Sequence, residues 1–264
     1  MTININPIIF EWQFISIRWY GVLLALGTLL TVLLIVKLFR EKKLSTNLAI
    51  DLSVWLIIGG LIGARLGHIV FYNLAYYLAN PSEIIMINHG GLSSHGLTIG
   101  IILTFLIFIK TKKLAWKKLV DLVAIALPIL AGFVRLGNFT NSEIVGRTTN
   151  LPWGVYFPRF ELEPLLRHPS QLYEAIIAFS IFYILYFIYK KYYTKLPPLF
   201  ITHLFILLYF STRFLVEFVK EYHTLSSGLT MGQWLSIPFI IYGAEWFWQK
   251  YKPTAKKRRN KKKA

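Results

Sequence analysis

The chain has 264 residues, of which 55% are hydrophobic, 16% aromatic and 16% charged. Soluble domains carry about 25% charged residues, and several apolar runs here approach the roughly 20 residues that cross a hydrocarbon core, so a soluble globular protein is excluded. There are no cysteines, which excludes disulfides, a thiolate nucleophile and cysteine-ligated metal; any thiol chemistry must use a substrate's thiol.

Seven apolar segments follow in chain order: Trp19–Val36, Ala49–Tyr72, Gly96–Ile109, Leu119–Val134, Leu172–Tyr189, Leu199–Val219 and Met231–Trp248. The first does not read as a cleavable signal, because its basic cluster "KLFREKK" comes after the apolar run. The connections after the first, third and fifth segments ("KLFREKK", "KTKKLAWKK", "KKYYTK") and the tail "KYKPTAKKRRNKKKA" hold most of the 29 basic residues; the connection Asn73–His95 holds none. Lysine and arginine stay on the cytoplasmic side. The expected fold is therefore all-α, a polytopic membrane protein of about seven transmembrane helices with its N-terminus outside and C-terminus in the cytoplasm. The net charge of +17 then reads as topology and attraction to anionic membrane lipids, with no nucleic acid as partner. One transmembrane catalytic domain is expected over 1–264, with a head or lid at 139–167 and a basic cytoplasmic tail at 250–264.

Placed on this topology, polar residues gather toward the outer side. Tyr20 of "RWYG" opens the first span, and Arg65 of "GARLGH" lies about 10 Å inside the end of the second at helical rise. His95 of "GGLSSHG" opens the third, and Arg135, Asn138 and Glu143 leave the fourth. His168, Gln171 and Glu174 enter the fifth. Tyr209, Arg213 and Glu217 form an i, i+4, i+8 stripe on the sixth. Ionisable groups within spans normally face a cavity or a partner, and guanidinium forks suit bidentate phosphate recognition. A structural Arg–Glu pair would explain Arg213 and Glu217 equally well, and Arg65 could pair or snorkel. Gly59, Gly63 and Gly67 recur at the spacing of close helix packing, whereas Gly90, Gly91 and Gly96 leave the backbone free to bend around His95. No metal-ligand spacing is present. In the 139–167 connection, Trp153, Tyr156 and Phe157 fit an interfacial belt.

These residues occur in stretches that resemble the prolipoprotein diacylglyceryl transferase family: "IRWYG", "GARLGHIVFY", "GGLSSHG", "RLGNFTNSEIVGR", "HPSQLYE" and "TRFLVEF", in the family's order. The signature "RLGNF-x-N-x-E-x-x-G" is the most specific. Val134 and Leu97 stand where the family often has glycine. The resemblance implies transfer of the diacylglyceryl group of phosphatidylglycerol to the thiol of the lipobox cysteine in a prolipoprotein signal peptide. That reaction forms a thioether and releases glycerol phosphate, in the bacterial inner membrane with the active site toward the outer leaflet and no cofactor. It further implies catalytic roles for Tyr20, His95, Arg135 and Arg213. Substrate binding is expected to involve Asn138, Glu143, Gly146 and Glu217, together with Arg65, Arg135 and Arg213.

In such a reaction, displacement at the glycerol carbon bonded to phosphate loads negative charge onto the phosphate oxygens. Arg135 and Arg213 would stabilise that charge, and His95 would take the thiol proton. The alternative is a membrane transporter for a phosphate-bearing or anionic lipid-like substrate, which predicts repeated halves and polar residues near the midplane; the sequence shows neither.

Overall fold

The computed structural model describes residues 1–13, 15–86, 90–163, 165–222 and 224–252. The expected basic tail lies outside these residues from position 253 onward. Apolar runs long enough to need internal hydrogen bonding become helices: α1 (Trp19–Glu41), α2 (Thr46–Tyr72), the short α3 (Leu74–Ala79), α4 (Ser94–Thr111), α5 (Trp116–Thr140), α6 (Ser170–Tyr192), α7 (Phe200–Val216) and α8 (Met231–Tyr251). The helices α1, α2, α4 and α5, and the segments Ser170–Lys195 and Phe200–Val219, are long and apolar enough to cross a membrane, six in all among the described residues. The seventh expected segment forms α8 but is not among the six. Gln233, Ser236, Glu245 and Gln249 dilute its apolar character.

Cα packing divides the chain into two compact units, one comprising Met1–Thr31 with Val120–Ala264 and the other Val32–Leu119. In the second unit, α2 and α4 pack closely. A Cβ on Gly63 would lie 2.6 Å from the Cα of Gly100, and one on Gly67 would lie 2.6 Å from the Cα of Gly96. The glycine ladder of α2 thus works as expected, but Gly96 does not bend the chain. It lies inside α4 as the counterpart of that ladder. The positive φ angles, +83° and +75°, belong to Gly90 and Gly91.

In the first unit, α6 packs on α7 and α7 on α8. The carboxylate of Asp121 on α5 accepts hydrogen bonds from the N–H groups of Leu199 and Thr202 (2.8 and 2.9 Å), which caps the start of α7 from a neighbouring helix. Thr230 and Gln233 form a capping box that starts α8. The helix α5 runs six residues past the expected Val134, because the charged side chains at its end find partners rather than ending it.

Two short hairpins were not foreseen. β1 (Ile8–Trp12) pairs antiparallel with β2 (Ile15–Arg18), and β3 (Val155–Tyr156) with β4 (Leu166–Arg167). The 139–167 region is not a self-contained insertion. The N–H of Ile3 donates to Tyr156 O (3.0 Å), that of Arg147 to Val219 O (2.8 Å) and that of Glu221 to Val145 O (3.2 Å). Its small core joins Ile3, Val145, Val155 and Phe157. Phe157 is fully buried there, so it is a core residue and not part of an interfacial belt. Trp153 remains exposed.

Candidate active site

The last two turns of α5 place Arg135 and Asn138 on one face at i and i+3. Arg135 Nη1 donates to Asn138 Oδ1 (3.2 Å), and Asn138 Nδ2 donates to Glu143 Oε2 (3.1 Å). Asn141 Nδ2 donates to the other oxygen of the same carboxylate (3.1 Å). The loop that carries Glu143 is strained. Ser142 and Ile144 both have φ of 56°, a region that β-branched residues avoid. It is held by Gln171 Nε2 donating to Glu143 O (2.6 Å) and by Ser170 Oγ donating to Ile144 O (2.7 Å). Such conformations cost about 1–3 kcal/mol each and persist only where the surroundings over-determine them.

From Arg135 a chain of charges runs inward. Its Nε lies 3.2 Å from Glu174 Oε2. Glu174 Oε1 accepts from Lys220 Nζ at 2.9 Å, and Lys220 lies 3.3 Å from Glu217 Oε2. Glu217 Oε1 accepts from Thr230 Oγ1 (3.1 Å), the N-cap of α8. Lys220 is 1% exposed and Glu217 2%. Burial pushes the Lys220 ammonium below the ordinary lysine range, against the pull of Glu174. Burial likewise pushes the Tyr222 phenol up, reinforced by Glu217.

Arg135, Glu174, Tyr209 and Arg213 line one cleft together with Ala131 and Ala178. It encloses about 20 Å³, room for about one water. Arg213 is half-buried, and among the described residues it forms no ion pair. The alternative Arg213–Glu217 pair does not form among the described residues, for a geometric reason. α7 ends at Val216, and Glu217 opens a 3-10 turn (Glu217–Val219) that swings its carboxylate to Lys220 and Thr230. The i, i+4, i+8 stripe holds only as far as Arg213.

Tyr20 sits in the first turn of α1, half-buried. A Cβ on Gly137 would lie 2.7 Å from its ring, so that glycine lets the ring rest against α5. Gly146 serves the backbone. A Cβ there would lie 2.5 Å from His168 O and 2.7 Å from Val219 O, because the chain passes between these two segments.

The two remaining expected residues belong to the other unit and are described within it. His95 is exposed in the first turn of α4, whose N-cap Ser93 accepts from Gly96 N–H (3.2 Å). Arg65 is 5% exposed. Among the described residues it has no carboxylate partner, and its burial leaves no snorkelling side chain. Its guanidinium donates to the carbonyls of Ile84 (3.0 Å), Gly91 (3.1 Å), Met86 (3.1 Å), Glu83 and Gly90, and lies 5.0 Å from the Tyr77 ring centroid. Five donors meeting five acceptors leave none for a ligand.

Lys220 was not singled out from the sequence. The available signal was its position three residues after Glu217 and seven after Arg213, on the continuation of the same face. Among the described residues, no group of three or more His, Asp or Glu side chains could hold a metal ion.

Residues 7–249 match the family model described as prolipoprotein diacylglyceryl transferase. Curated relatives carry the name phosphatidylglycerol–prolipoprotein diacylglyceryl transferase. One from Bacteroides fragilis is 40% identical over 255 residues, covering 91% of both chains. One from Tolumonas auensis is 39% identical, covering 91% of this chain and 93% of its own. One from Chloroherpeton thalassium is 40% identical, covering 94% of both.

Proposed function

Because the chain belongs to the prolipoprotein diacylglyceryl transferase family, we propose that it transfers the diacylglyceryl group of phosphatidylglycerol to the lipobox cysteine of prolipoproteins. The observation that carries this reading is the single cleft lined by both Arg135 and Arg213, the second of which has no anionic partner among the described residues. Arg135 and Lys220 pair with the network carboxylates Glu174 and Glu217, and Arg213 lines the cleft beside them. The Arg213 guanidinium is left to meet the negative charge of a phosphodiester.

In the reaction, the substrate thiolate forms a carbon–sulfur bond at the diacylglyceryl carbon attached to the phosphate oxygen. The carbon–oxygen bond breaks, its electron pair goes to that oxygen, and glycerol phosphate leaves as a monoester. Charge on the phosphate rises toward two negatives as the bond breaks, so the Arg213 guanidinium acts most strongly in the transition state. Arg135 is held at Nε by Glu174 and at Nη1 by Asn138, which aims its fork before the lipid arrives. Tyr20, Asn138 and Glu143 orient the headgroup. Glu217 and Gly146 support the site from behind, and Arg65 organises the loop preceding α4. We assign the thiol proton to His95, whose exposed imidazole is a proton acceptor.

The cleft faces the outer leaflet of the inner membrane, with seven helices spanning, the N-terminus outside, and the 139–167 head covering the site. The test is to incubate the purified protein with phosphatidylglycerol and a lipobox peptide. Thioether-linked peptide and an equal amount of glycerol phosphate are expected. Movement of labelled lipid across a vesicle wall with no modified peptide would establish the transporter reading instead.

A further inference from the structure

The β1–β2 hairpin has two unlike faces. Cross-strand partners share a face, and neighbours along a strand alternate. Phe10 pairs with Ile17 on one face, with Trp12 beside them, whereas Glu11 pairs with Ser16 on the other, with Arg18 beside them. Phe10, Trp12 and Ile17 are 53%, 61% and 43% exposed. This apolar face has no cover within the described residues of its own unit.

Its position identifies what covers it. β2 ends at Arg18 and α1 begins at Trp19 without a linker. The N–H of Trp19 donates to Pro7 O at 3.0 Å, which ties the base of the hairpin to the first turn of the helix. A five-residue strand is about 17 Å long, so the hairpin cannot leave the end of a helix that spans the membrane. Beyond the junction, Val22, Leu26, Leu29 and Leu33 continue down α1 as exposed apolar side chains, the surface that a spanning helix offers to lipid.

We propose that the hairpin is a membrane-surface anchor that lies with Phe10, Trp12 and Ile17 in the interfacial layer of the leaflet at the N-terminal end of α1. Glu11, Ser16 and Arg18 face water. Aromatic rings with aliphatic neighbours favour the headgroup boundary, and an amphipathic element with charge on one face and none on the other lies flat in it. The partner is the lipid surface itself. This rests on α1 spanning the membrane and not on the transfer reaction.

The absence of cysteine makes the test direct. The single variants Phe10→Cys, Trp12→Cys, Ile17→Cys, Glu11→Cys and Ser16→Cys are made in the full chain, labelled with a nitroxide and placed in nanodiscs of phosphatidylglycerol and phosphatidylethanolamine. Collisions with lipid-soluble oxygen and with a water-soluble nickel chelate are then compared. Labels at 10, 12 and 17 should meet oxygen at least several-fold more than the chelate, and labels at 11 and 16 should show the reverse. Equal access of the chelate to all five overturns the proposal. So does dipolar broadening between copies, which would make the cover a second chain. Protection of 10, 12 and 17 only after a signal peptide is added overturns it in favour of a peptide groove. Transfer activity measured on the same samples reports separately on the proposed function.

Discussion

Arg135 shows how much one side chain can combine. Its Nε faces Glu174 at 3.2 Å and its Nη1 reaches Asn138 at 3.2 Å, which leaves the rest of the fork for an anion in the cleft. A lysine keeps the charge but cannot hold two fixed partners while presenting a third donor. Arg135→Lys should therefore lower the transfer rate about 10²–10³-fold, the range for losing one preorganised donor, while the protein still inserts and elutes normally. Near-normal turnover would reduce Arg135 to a point charge. His95→Gln tests the proposed base. Transfer should slow most below the thiol's ordinary pKa of about 8.5 and partly recover above it, as the peptide ionises unaided. A defect equal at every pH would make His95 a positioning group.

At the scale of elements, the charge network ties α6, the turn after α7 and the start of α8 together through Lys220. A buried charge whose partner is removed costs about 3–5 kcal/mol. Lys220→Met takes the cation from Glu217 and leaves Glu174 only Arg135, and the melting temperature should fall; Lys220→Arg, which keeps both contacts within reach, should retain most of the stability. Equal melting of the wild type and the methionine variant would show that the carboxylates are already neutral.

The head has its own fastening. Arg167 donates from Nη2 and Nε to the two oxygens of Glu161 (2.7 and 2.9 Å) and from Nη1 to Gly146 O (3.1 Å). The hydrogen bonds from Arg167 hold the Glu161 carboxyl below its usual value of 4.5. A depressed carboxyl stabilises the fold above its unfolded pKa, and that contribution disappears as pH falls through the folded value. Resistance of the head to proteolysis should thus decline as pH drops below about 4.5. Glu161→Gln should flatten that dependence, and an unchanged profile would assign it to another group.

For the whole molecule, the proposed topology is testable because any introduced cysteine is unique. A membrane-impermeant maleimide should label Arg159→Cys, in the head, on intact cells, and Lys113→Cys, between α4 and α5, only after permeabilisation. The opposite pattern would invert the chain. The membrane class, the helix order and the family were legible in the sequence alone. They rest on run length, lysine and arginine distribution and local motifs, which are properties of neighbouring residues. The glycine ladder was legible for the same reason, since a four-residue repeat marks one helix face.

What stayed hidden depends on residues that meet only when the chain folds. Lys220 lies 46 positions from Glu174, and no local pattern announces that pair. Glu217 follows Arg213 at helical spacing, yet the helix ends between them and the carboxylate turns elsewhere. Phe157 has the composition of an interfacial residue and becomes core because Ile3 arrives from the far end of the sequence. Arg65 was expected to pair, to snorkel or to bind substrate, and its fork is filled by backbone carbonyls from a loop about twenty residues away. Sequence alone determined which residues could carry charge into an apolar environment; tertiary structure decided which of those charges are already neutralised. A substrate meets the donors that remain, the Arg213 guanidinium and the unfilled part of the Arg135 fork.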